Sequence, residues 1–298
     1  TYIDKKSPEL TYAAIAALKK SYEDAGQNVL LVDAGDHIQG TAYGSMDDGE
    51  TIIKLMNEAG YDLATPGNHE FDYGMARAKA VMKEADFPYI SCNWVDLRTG
   101  LKVLPTIKMF TIGGARIAFV GVTTPETFTV MENKQVADAS GKAVTLTQTG
   151  SYFKNVGKMT IGADGAITTE LIHTYEGADA AVAATAAEWI SAVDDMLGEE
   201  IAVGDSKFYI NDPATGKRRI LSGETNLGDF VADGIYTYFN EIEELHCDIA
   251  IMNGGGIRTD VDAGPWSFKT CKTVSPFGNV ACLMSVTGQQ IQDALEFG

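Results

Sequence analysis

The sequence predicts an α/β protein of two domains, and three observations carry that expectation. Short aliphatic runs alternate with stretches of helical periodicity, two polar turns each follow such a run, and the alternation restarts after an alanine-rich helix. Val29-Leu30-Leu31-Val32 reads as a buried strand, residues 61–65 as a second, and residues 50–59 between them as a helix. The two strands end in Gly35-Asp36-His37 and in Gly67-Asn68-His69-Glu70-Phe71-Asp72. In sheets built from β-α-β units, ligands collect beyond the carboxyl ends of the strands, which is where Asp36, Asn68 and His69 would project.

Taken in order, Ser7-Pro8-Glu9 has the form of a helix start, with a capping serine, proline at the first helical position and an acid in the first turn. The helix is expected to run to about Asp24, with Gly26 as its stop. Residues 75–85 read as a helix and 87–93 as a strand. Residues 108–112 and 116–122 read as a hairpin about Gly113-Gly114. A helix over residues 179–197, with Trp189, Ile190, Val193 and Leu197 on one stripe, is expected to connect the domains. Beyond it, residues 201–204 and 206–210 read as extended, 227–238 as a helix and 247–252 as an apolar strand. That last segment runs into Asn253-Gly254-Gly255-Gly256-Ile257-Arg258. The glycines there allow close backbone approach to a ligand, and Arg258 can fork onto a phosphate or carboxylate, although a tight turn with a surface arginine has the same signature. Phe277, in Ser275-Pro276-Phe277-Gly278, can stack on a planar base or simply fill a core.

Composition narrows the function classes. The chain has 298 residues, 45% of them hydrophobic, and a net charge of −18. A field of that sign repels long polyanions such as DNA, so a phosphate ester would need local cations or metal ions to bind. No run approaches the roughly 20 apolar residues of a membrane helix, and no secretory signal is present. The four cysteines lack metal-site spacing and read as buried free thiols.

The polar turns carry the chemistry. Asp36 alone has the signature of a turn former, and His37 beside it reads as incidental. Asn68 and His69 say more. An asparagine carbonyl and a carboxylate are hard ligands for a divalent ion, and an acid at Asp72 can orient the histidine to stabilise a leaving or phosphoryl oxygen.

Together these motifs resemble the 5′-nucleotidase family of two-domain, calcineurin-like metallophosphatases, and the similarity runs along nearly the whole chain. The resemblance implies an N-terminal four-layer α/β/β/α sandwich, incomplete here, at residues 1–178, a connector helix at 179–198 and a C-terminal α/β nucleotide-binding domain at 199–298. It implies two divalent metal ions as cofactors, with Asp36 bridging them and Asn68 ligating one. His69 and Asp72 would stabilise the transition state, Asn253, Gly255 and Arg258 would contact substrate, and Phe277 would form one wall of a base clamp. The implied reaction is hydrolysis of nucleoside 5′-monophosphates. Cyclic nucleotides or nucleotide sugars are the alternative substrates, and a non-catalytic nucleotide-binding relative is the alternative class. The implied partner is a small-molecule nucleotide, and the implied location is extracellular, cell-wall or periplasmic.

The sequence also departs from the family. An opening Asp-x-His pair and a Gly-His-Ser/Thr-His motif are absent, and only His37, His69, His173 and His246 occur. Gly223 stands where several relatives place a phosphate-binding arginine. The polar path over residues 123–143 is too short to supply the expected strands, which predicts a missing segment between about Pro125 and Glu132, at Thr129-Val130.

Overall fold

A computed structural model describes residues 3, 10–123, 134–137, 139–146, 149–150 and 152–297. The chain divides into two compact units, Thr1–Glu200 with Ser267–Pro276, and Ile201–Trp266 with Phe277–Gly298.

The first unit opens with helix α1 (Tyr12–Asp24), capped by the Thr11 hydroxyl, which accepts from the Ala14 amide at 3.2 Å. The cap expected at Ser7-Pro8-Glu9 lies outside the described residues, so the helix described starts later than the sequence suggests. Strand β1 (Val32–Asp33) is followed by the short helix α2 (Ala42–Ser45), helix α3 (Glu50–Glu58) and strand β2 (Leu63–Ala64). β1 and β2 pair in parallel, Val32 with Leu63 and Asp33 with Ala64. This is the β-α-β unit expected from the periodicity, and it sets both polar turns at one end of the pair. At the opposite end Asp62 accepts from the Leu31 amide and the Lys19 ammonium, both at 2.8 Å. Helix α4 (Met75–Glu84) follows the second turn. The segment expected as a strand at 87–93 joins the pair only through the Ala64–Tyr89 bridge.

Strands β3 (Ile107–Ile112) and β4 (Ala115–Val120) form the expected hairpin, with Ile112 opposite Ala115 and both Gly113 and Gly114 at positive φ. That is the backbone a two-residue primed turn demands. Ile107, Met109, Val120 and Val122 are exposed, and just after β4 the Gly121 carbonyl accepts from the Cys92 amide at 2.7 Å. Further antiparallel pairs are β5 (Lys134–Ala137) with β6 (Ala143–Leu146) and β7 (Val156–Ile161) with β8 (Ile167–Ile172). Among the described residues every sheet has two strands. The junction expected at Thr129-Val130 lies outside the described residues.

Helix α5 (Ala180–Leu197) is capped by Asp179, whose carboxylate accepts from the Ala181 and Val182 amides. Its apolar face, Val182, Ala186 and Val193, packs into the core of the first unit with Tyr12, Ile52, Ile53, Leu55, Met56 and Tyr61. Trp189 donates from Nε1 to the Tyr43 carbonyl at 3.0 Å. Burying such side chains contributes about 1.5–3 kcal/mol each, which makes this cluster the first unit's main source of stability.

In the second unit, strand β9 (Glu200–Gly204) pairs with β10 (Gly264–Ser267). Helix α6 (Asn226–Thr237) ends in one wide turn, Tyr238–Ile242. The core holds Ile210, Leu227, Phe239, Ile257, Val261 and Trp266. Phe208, Phe230 and Trp266 meet edge-to-face, with centroids 5.1–5.4 Å apart. Helix α7 (Phe268–Val274) belongs to the first unit, where Lys269 pairs with Asp194 of α5. Helix α8 (Gly288–Phe297) follows in the second unit.

Two expectations are corrected here. Residues 247–252 do not form a strand. The Cys247 backbone is taken up at both its amide and its carbonyl by the Asn240 side chain, and Ile249 and Ile251 are exposed. An apolar run announces burial, but only a neighbouring ladder makes it a strand. The four cysteines are free, yet only Cys247 is buried, while Cys271 and Cys282 are exposed.

Candidate active site

Two turns meet beyond β1 and β2, and their backbones touch. A β-carbon placed on Gly35, which sits at φ +99°, would lie 2.3 Å from the Gly67 amide nitrogen, and one on Gly67 would lie 2.1 Å from Asp36 Oδ1. Glycine at both positions is therefore a steric requirement of the crossing. Asp36 itself adopts φ +63°, a left-handed conformation that costs a non-glycine residue about 1–2 kcal/mol. Strained backbone of this kind persists where the surroundings over-determine it.

The structure brings together Asp36, Asn68, His69 and Asp72. Asp36 Oδ1 accepts the His69 amide at 3.0 Å, and His69 donates from Nδ1 to Asp72 Oδ2 at 2.7 Å, both side chains about one-quarter exposed. Asn68 and Asp36 are exposed at the mouth of the crossing. A partly exposed, carboxylate-oriented imidazole on a turn that follows a strand can donate to an oxygen that gains charge in a reaction.

Beneath the turns lies a group that the sequence reading missed. His37 is buried and far from incidental. It donates from Nδ1 to Asp33 Oδ1 at 2.7 Å, while its Nε2 lies 2.8 Å from the Tyr89 hydroxyl. Burial by itself lowers the pKa of this imidazole, but the carboxylates of Glu70 and Asp33 overcome that effect and raise it to about 9. The same charges, added to burial, push the Tyr89 hydroxyl far above the usual phenol range. Glu70, fully buried, accepts from the amides of Asp36 and His37 at 2.8 Å and of Gly67 at 2.6 Å. The one signal in the sequence was a carboxylate embedded in a turn next to glycine, where backbone N–H groups converge.

The second unit presents Asn253, Gly255, Arg258 and Phe277. Gly254–Gly256 forms one tight turn. Arg218 braces it, donating from Nη2 to the carbonyls of Gly254 at 3.1 Å and Ile257 at 2.8 Å. Arg258 donates to the Gly255 carbonyl at 3.2 Å and lies over the Phe277 ring, 5.5 Å from its centroid. Added β-carbons on Gly254 and Gly256 would strike Ile220 and Met252 within 2.6 Å, whereas one on Gly255 would meet nothing closer than 3.4 Å, so Gly255 is the glycine with room above it. Arg219 lies beside Gly223.

A metal pair needs a converging set of several side-chain donors. Among the described residues, no group of three or more His, Cys, Asp or Glu side chains converges as a metal cluster would. Asp33, His37 and Glu70 are engaged with one another and with backbone amides, which leaves Asp36 and Asn68 as candidate donors. The described residues by themselves therefore do not compose a two-metal centre.

The first unit is thus an α/β domain with paired polar turns at one end of its parallel strand pair, followed in sequence by a second unit. Residues 10–138 match the calcineurin-like phosphoesterase family, and residues 202–298 match the 5′-nucleotidase C-terminal domain. The chain belongs to the 5′-nucleotidase family of metallophosphatases. It is 27% identical to the trifunctional nucleotide phosphoesterase protein YfkN of Bacillus subtilis over 92% of this chain and 25% of that protein. It is 24% identical to the snake venom 5′-nucleotidase of Gloydius brevicauda over 90% of this chain and 61% of that one. The chain thus spans less than two thirds of these relatives. The first alignment runs over 376 positions against a chain of 298 residues, so that relative carries stretches with no counterpart here. The structure of a 5′-nucleotidase precursor from Thermus thermophilus superposes with a TM-score of 0.71 at 23% identity, covering 91% of this chain and 69% of that one. Among the described residues, no helix is long and apolar enough to cross a membrane.

Proposed function

We propose that the protein is a phosphomonoester hydrolase that acts on nucleoside 5′-monophosphates, metal-dependent as its family implies, with Asp36 and Asn68 among the metal donors. The observation that carries the proposal is the His69–Asp72 pair at 2.7 Å, set on a turn whose amide is held by Asp36. In this reading Asp72 fixes the imidazole, and His69 donates to an oxygen of the phosphoryl group as charge builds there during attack by water. Breakage of the P–O bond releases nucleoside and inorganic phosphate. In the second unit Arg258, Asn253 and Gly255 bind the nucleotide, and Phe277 supplies a stacking face. A role in nucleotide catabolism outside the cytoplasm follows from the family and belongs to the same proposal.

The test is phosphate release by the purified chain from AMP, GMP, CMP and UMP, from cyclic AMP and from a nucleotide sugar, with Mn²⁺ or Mg²⁺ and with chelator. Turnover confined to the monophosphates and abolished by chelator is expected. Preference for the cyclic or sugar esters would overturn the substrate assignment. A second reading, a nucleotide-binding relative without catalysis, is favoured by the absence of a converging donor set among the described residues. Calorimetric binding of AMP with no phosphate release would establish it.

A further inference from the structure

We infer that Glu70 is a positioning residue, a buried carboxylate that buckles the two site turns together, so that the protein itself fixes the relative placement of Asp36 and His69. Glu70 sits between His69 and Asp72 in sequence but points away from solvent, with its side chain fully buried. Its two oxygens receive amides from both turns: Asp36 and Gly67 on Oε2 at 2.8 and 2.6 Å, and His37 on Oε1 at 2.8 Å. One side chain thereby ties the end of β1 to the end of β2. Asp36 then closes the ring by accepting the His69 amide at 3.0 Å.

The chemistry calls for a carboxylate. Four N–H donors converge on two oxygens, the Ile38 amide adding a long contact to Oε1 at 3.5 Å, and an ionised carboxylate is acceptor-only with lone pairs to accept them. A glutamine in the same place would turn an NH₂ donor toward one of these amides. The left-handed backbone of Asp36 has its reason here as well, because the conformation that aims its N–H at Glu70 also leaves its side chain at the mouth of the site. Glu70 touches none of the groups proposed to meet substrate except through the backbone. Its effect is on where Asp36 and His69 stand.

The functional arm of this inference rests on the phosphoesterase reading, whereas the structural arm does not, and the experiment separates them. Amide hydrogen exchange, resolved by NMR, is measured on the wild-type chain and on Glu70→Gln. In the wild type, the Asp36, His37 and Gly67 amides are expected to exchange slowly despite lying in turns. In Glu70→Gln their protection should fall about tenfold or more, while the amides of α1 and α3 keep theirs. With nitrophenyl phosphate as substrate, kcat of Glu70→Gln should fall about tenfold to a hundredfold with KM within about twofold. Wild-type amides that exchange as fast as exposed turns would overturn the inference even if the variant fails to fold. Equal loss of protection across the whole first unit, the mark of a merely structural residue, would overturn it as well. A wild-type chain that turns over no ester, with the three amides protected and released by the substitution, would sink the hydrolase reading and leave the buckle standing.

Discussion

His37 shows how much one side chain can hold. It is sandwiched between Asp33 and Glu70, its ring is enclosed, and among the described residues it is the cation paired with those two carboxylates. Replacing it with leucine, His37→Leu, keeps the bulk but leaves both acids buried without a countercharge. Breaking a buried pair in this way costs about 3–5 kcal/mol. Equilibrium urea unfolding should show a loss of that size, and a change under about 1 kcal/mol would mean that the imidazole contributes little to holding the two carboxylates. His69 has the opposite character: it is partly exposed, and its imidazole pairs with Asp72 of its own turn. His69→Ala is expected to unfold like the wild type and to lose about a hundredfold or more in kcat with KM little changed, as removal of a transition-state donor does. A parallel loss of stability and rate would make His69 a structural residue.

The β-α-β element was legible in the sequence because its signals are local. The aliphatic runs at Leu31-Val32 and Leu63-Ala64, the amphipathic helix between them and the glycine turns after them are each a matter of neighbours along the chain. Asp36, Asn68, His69 and Asp72 could be picked out as candidates for the same reason. What brings His37 to Asp33, Glu70 and Tyr89 is the closure of that unit in space, and no spacing announces it. Residues 247–252 fail in the complementary way: their apolarity is plain, but the ladder that would make them a strand is a tertiary fact. The crossing of the two turns yields a prediction at this scale. Gly35→Ala must accept both a positive φ and a collision with the Gly67 backbone, whereas Gly26→Ala, also at positive φ, meets open space. Gly26→Ala should cost about 1–2 kcal/mol and Gly35→Ala clearly more. Equal thermal shifts for the two would show that the crossing can spread to admit a methyl group.

For the whole molecule, the division into two units implies a division of labour that can be measured on the intact chain. Arg258→Ala and Phe277→Ala, both in the second unit, should raise KM for nucleoside monophosphates about tenfold while hydrolysis of nitrophenyl phosphate, which has no nucleoside, stays within about twofold. Unchanged nucleotide KM in both variants would count against the assigned roles. The proposed chemistry in the first unit has a further property. Asp33, Asp36, His37, Asn68, His69, Glu70, Asp72 and Tyr89 all come from one short stretch of chain wrapped around a single parallel crossover. Closing a loop of that length costs little entropy, since the penalty grows only with the logarithm of its length. The turns, their buckle and the buried imidazole can therefore assemble in one local folding event, ahead of the long-range contacts that bring α5 onto the core. On a growing chain, the paired turns could close as soon as Tyr89 had emerged, well before Arg258 and Phe277 were made.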